Sequence, residues 1–97
     1  MERFLIELPH SPDAGECTNV VQVFLSSGSH LVTKAEWGCN DDVHNAWLIV
    51  DVEGRDDAVA IVPPALRSTA RITALNTFTL EWANAEIDRL EREAAGK

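Results

Sequence analysis

From Val43 to Val52 the chain alternates. Ala46, Leu48, Val50 and Val52 take one side, and Asn45, Trp47, Ile49 and Asp51 take the other. A period of two over that length dictates a half-buried β-strand. The run before it, His30 to Trp37, alternates too: Leu31, Thr33 and Ala35 share one face, and Val32, Lys34 and Glu36 share the opposite one. Cys39, Asn40, Asp41 and Asp42 lie between, with the Asn and Asp chemistry of a turn. The pattern predicts a hairpin around which the other elements must be arranged. A loop of Cys39 to Asp42 puts Lys34 opposite Trp47, Glu36 opposite Asn45 and Trp37 opposite His44.

The other elements follow in order. Arg3 to Leu8 is a short strand stopped by Pro9, with Phe4, Ile6 and Leu8 on one face and Arg3, Leu5 and Glu7 on the other. Asp13 and Glu16 have the spacing of a capping box. Cys17, Val20, Val21, Phe24 and Leu25 then form one helical stripe, which Gly28 is expected to end. On that stripe Cys17 reads as a small core residue. Asp56 or Asp57 is expected to cap a second helix with an apolar face of Ala58, Ile61 and Val62, stopped by Pro63 and Pro64. Ala70 to Phe78 alternates again, with Ile72 and Ala74 on the core face. From Thr79 to about Ala94 the pattern is helical. Leu80, Ala83, Ile87, Leu90 and Ala94 make a narrow seam, and Asp88 and Arg92 are placed to pair. Such a seam suits a sheet edge or another subunit.

The resulting order predicts an α+β fold: a ferredoxin-like βαββαβ unit, with a four-stranded antiparallel sheet, helices on one face and a C-terminal helix. Residues 1–97 are expected to form one domain, with 78–97 as a helical extension. Phe4, Ile6, Leu31, Leu48, Val50 and Ile72 face the helices in this arrangement. Arg3, Leu5, Glu7, Val32, Lys34, Glu36, Trp47, Ile49 and Leu75 face away. An uncovered Trp47 exposes up to ~150–250 Å², so the open face asks for a partner or a ligand.

The whole length of the chain resembles, in order and spacing, the dimeric α+β barrel proteins, in which two ferredoxin-like units pack sheet against sheet, and the run from Gly28 through Thr79 carries the more detailed likeness. Its Trp-containing hairpin and Pro-punctuated second helix are similar in layout to muconolactone isomerases. The chain also looks like small bacterial families of unknown function and nickel-binding relatives with this fold. The resemblance implies a homodimer with a cavity between sheet and helices. It implies no particular reaction, because fold does not fix function.

Charge and composition narrow the classes. The formal net charge of −8 opposes nucleic acid and anionic membrane surfaces, which need basic patches. No apolar run approaches the roughly 20 residues of a membrane span. The first residues lack the basic and apolar regions of a signal peptide, so a cytoplasmic location is expected. Cys17 and Cys39 are too few for a disulfide framework and are expected as thiols.

Two clusters carry possible chemistry. Glu7 and Glu36 are candidate bases on the open face, with Arg3 and Lys34 as anion anchors and Trp47 as an apolar wall. They suit a small, anionic organic ligand, isomerase-like chemistry included. The plainer alternative is that these groups pair with each other or stack. Cys39, Asp42 and His44 are candidate ligands for nickel or zinc, with Asp41, His30 and His10 nearby. The plainer alternative there is an ordinary hairpin loop. Glycine loops for phosphates and motifs for haem, flavin or nicotinamide are absent from the sequence. Whether the chain is an enzyme stays open, with a metal-binding or interaction module as the alternative.

Overall fold

A computed structural model describes residues 1–27 and 30–96 of the chain. Gly28, expected to end the first helix, and Lys97 lie outside the described residues. The elements are β1 (Glu2–Glu7), α1 (Ala14–Leu25), β2 (Glu36–Trp37), β3 (Ala46–Val52), α2 (Arg55–Ile61), β4 (Arg71–Leu75) and α3 (Leu80–Ala95). The four strands form one antiparallel sheet in the order β2-β3-β1-β4. The described residues thus make a small α+β protein with an open four-stranded sheet and three α-helices.

Alternation sorts the sheet into two faces. Phe4, Ile6 and Leu8 of the first strand region are buried, as are Ala46, Leu48 and Val50 of β3. Phe24 from α1, and Ala58 and Val62 from the α2 region, complete this core. The opposite face carries rows set by register: Asp51, Arg3 and Leu75; Ile49, Leu5 and Thr73; Trp47, Glu7 and Arg71. Ile49 is more than half exposed there.

Capping explains where the helices begin. The Asp13 carboxylate accepts from the Glu16 N–H at 2.9 Å. The Asp13 N–H donates to Ser11 Oγ at 3.1 Å, so Ser11 stands where a capping box would use Glu16. Gly54, rather than Asp56 or Asp57, holds the N-cap of α2. Both aspartates lie in its first turn, where they favour the positive end of the helix dipole. Val62 is extended ahead of Pro63, which ends the helix as expected.

The hairpin departs most from expectation. Residues His30–Lys34 form a 3₁₀ turn, and β2 shrinks to two residues. Thr33 Oγ1 donates to the His30 carbonyl at 2.7 Å, and the Ala35 N–H donates to Val32 O at 3.1 Å. These local bonds replace ladder bonds that an edge strand would make on one side only. The turn carries Val32 into the core, fully buried, while Leu31 is only half-buried. Their expected faces are therefore exchanged. The observed pairs are Glu36 with Trp47 and Trp37 with Ala46, two residues away from the expected register. A two-residue slip keeps each side chain on its face. It removes Lys34 from its expected place opposite Trp47.

In α3, the Thr79 hydroxyl accepts from the Trp82 N–H at 3.0 Å. Arg89 bridges Glu86 and Glu93, in place of the expected Asp88–Arg92 pair. Among the described residues no helix is long and apolar enough to cross a membrane.

Candidate metal centre

The β1–β3 register explains how distant residues meet. Its pairs run from Glu2 with Val52 to Glu7 with Trp47. The pairing continues past the strand ends: the Leu8 N–H donates to Ala46 O at 3.0 Å, and the His10 N–H donates to His44 O at 3.0 Å. His10 and His44 are therefore cross-strand neighbours, with ring centroids 5.8 Å apart. Asn45 helps hold the two strand ends together, its side-chain oxygen accepting from the Leu8 N–H at 2.9 Å.

Two sulfurs close on this pair. Cys17 sits in the first turn of α1, where the Asp13 cap starts the helix against the sheet. Cys39 opens the hairpin loop. His10 Nε2 lies 3.2 Å from Cys39 Sγ and 3.3 Å from Cys17 Sγ, and the two sulfurs are 3.3 Å apart. One ligand-capable atom from each of His10, Cys17, Cys39 and His44 falls within 4.8 Å of the other three. Tetrahedral zinc would hold two sulfurs about 3.8 Å apart, and a sulfur and a nitrogen about 3.5 Å apart. The separations among His10, Cys17 and Cys39 need to widen by only a few tenths of an ångström, and His44, within 4.8 Å of the other three, completes the set by moving inward.

The second shell has the orientation such a site requires. His10 Nδ1 lies 2.9 Å from the Leu8 carbonyl oxygen, which can only accept. Nδ1 therefore carries the proton, and Nε2 points its lone pair at the sulfurs. Among the described residues, His44 Nδ1 is the buried side-chain polar atom with no hydrogen-bond partner. An unpartnered buried nitrogen carries a desolvation cost that a hydrogen bond or a metal bond at that atom would relieve. Trp37 packs edge-on to His10 at 5.9 Å and to Phe24 at 5.7 Å, tying the site to the core.

Burial pushes the Cys39 thiol up from its ordinary pKa, and the neighbouring Cys17 sulfur adds to the rise. Without a metal, the pocket thus favours the neutral thiol. A bound dication reverses this preference and takes a thiolate.

The loop geometry is compact. The Gly38 carbonyl accepts from the N–H groups of Asp41 at 2.9 Å and Val43 at 3.0 Å. A Cβ on Gly38 would sit 2.7 Å from Val43 O and 3.0 Å from the Trp47 ring. Gly38→Ala should therefore cost about 1–3 kcal/mol by overpacking and weaken metal binding through the loop. Urea midpoints and zinc titrations of the variant check both effects.

Among the residues expected from sequence, Cys39 and His44 belong to the cluster. Asp42 does not: it takes φ 58° to close the turn and stays exposed. Asp41 and His30 are also exposed and outside it. Cys17, expected as a core residue, is buried but has its sulfur in the cluster. On the open face, Arg3 is bound to Asp51 through two hydrogen bonds, at 2.9 and 3.2 Å. Glu7 accepts from Asn45 at 3.4 Å. Lys34 and Glu36 are exposed. A shallow groove of about 720 Å³ on this side includes Arg3, but its lining includes none of Glu7, Lys34, Glu36 and Trp47.

No family model, curated protein or solved structure matches this chain. The resemblance to dimeric α+β barrels thus rests on order and spacing alone, and no family is assigned. The Cys₂His₂ cluster is the more specific feature.

Proposed function

We propose that the chain is a small metal-binding protein whose Cys₂His₂ centre takes zinc. The observation that carries this is the convergence of His10, Cys17, Cys39 and His44, with His10 Nε2 turned toward both sulfurs and a buried, unpartnered nitrogen on His44. Two thiolates and two imidazoles suit tetrahedral zinc, and they suit nickel less well, which in N,O sites prefers square-planar geometry. Four protein ligands leave no position for substrate, so the metal acts as a clip. It joins the β1–α1 connection to the hairpin loop.

Zinc titration of chelator-stripped, reduced protein, followed by native mass spectrometry, tests the reading. One zinc per chain is expected, lost in His10→Ala and Cys17→Ser as well as in Cys39→Ser. Retention of full binding by His10→Ala and Cys17→Ser would reduce the site to a loop chelate and overturn the proposal.

A small-molecule site on the open sheet face stands second, supported by the groove beside Arg3. Arg3 is already neutralised by Asp51, which leaves that reading without a free anion anchor in the groove. The strand order supports a ferredoxin-like split βαβ unit as the finer fold reading, with β2 reduced to a stub.

A further inference from the structure

We infer that the protein forms a two-fold dimer in which α3 of each copy lies across the open sheet face of the other. The inference is independent of the metal centre.

The shape of one chain motivates it. A compact domain of this length has a radius of gyration of about 12.5 Å. The chain measures 18.3 Å, with extents of 58 × 30 × 22 Å. None of the residues of α3 is buried. Leu80, Ile87 and Leu90 on its seam are at least half exposed, as is Phe78 just before it. Phe78 and Trp82 stack at 4.4 Å, which stiffens the root of the arm. A lone helix of this length is marginal in water, and an apolar seam gains nothing there.

The same chain offers a matching surface. Leu5, Ile49 and Leu75 form an apolar strip on the sheet face away from the core, ending in the 720 Å³ groove beside Asn76 and Thr77. Arg71, on that face, has no ion pair among the described residues. It would meet Glu91, which borders the α3 seam and has no ion pair among the described residues. Pairing α3 with another α3 would leave the strip of Leu5, Ile49 and Leu75, and Arg71 with it, uncovered. A stable interface buries roughly 1,200–2,000 Å² in total, which calls for the exchange of two arms rather than the docking of one.

Sedimentation equilibrium of the 97-residue chain, with zinc present, tests this. The expected mass is twice 10.7 kDa. Ile87→Glu on the arm and Ile49→Glu on the sheet should each shift the protein to monomer, with the cooperative unfolding of the core retained and far-UV helicity lost only from the freed α3. Both positions are exposed in the single chain, so neither variant disturbs its core. A monomeric wild type at micromolar concentration would overturn the inference. So would loss of the dimer in Ile87→Glu with full retention in Ile49→Glu, which would indicate arm-to-arm pairing.

Discussion

Stripping zinc with a chelator is expected to lower the thermal midpoint by roughly 15–30 °C. Zinc held at a thousandfold excess over its Kd stabilises the fold by ~4 kcal/mol, and each kcal/mol moves the midpoint of a domain this size by ~4–8 °C. His44→Ala separates the metal from the fold. In zinc it should lose nearly the whole increment. In chelator it should cost little, because its Nδ1 is buried without a partner and truncation removes that burden. A comparable loss for His44→Ala with and without zinc would mean the histidine merely packs.

The pH dependence carries opposite signs in the two states. In the metal-free fold the raised Cys39 pKa favours the neutral thiol. The stability this contributes is present below the ordinary thiol pKa and fades as pH rises through the raised one. Zinc instead requires thiolates, so protons compete less as pH rises and its increment grows. Melting curves between mildly acidic and mildly alkaline pH should therefore diverge, with the zinc-bound protein gaining on the stripped one.

The second large effect is in the core. Phe24 is 1% exposed and meets Trp37 edge-on at 80°. Phe24→Ala should cost about 3–5 kcal/mol from lost burial and the cavity left behind. That is a large part of the ~5–15 kcal/mol that holds a typical domain. It should also loosen Trp37, which packs against His10, so zinc affinity falls with stability. Denaturant unfolding in zinc and in chelator measures both. A cost under about 1 kcal/mol would place Phe24 outside the cooperative core.

Most elements were legible in the sequence because their signals are local. The alternation of Phe4, Ile6 and Leu8, the Asp13 cap and the Pro63 stop act within a few residues of themselves. The segment from His30 to Lys34 misled because it alternates like a strand, yet Thr33 can satisfy the backbone within the turn. Half of the His/Cys cluster was visible in the same way: Cys39 and His44 share one loop. His10 and Cys17 lie far from them along the chain, with no recognised ligand spacing. On a helical stripe, Cys17 has the signature of any small core residue. The signal that would have found the site is the register between β1 and β3. Extended past the strand ends, it sets His10 opposite His44 and brings the start of α1 to the hairpin loop.

X-ray absorption at the zinc edge of the loaded protein tests the central claim most directly. The predicted first shell is two sulfurs at about 2.3 Å and two nitrogens at about 2.0–2.1 Å. A shell of light oxygen and nitrogen atoms with fewer than two sulfurs would contradict it.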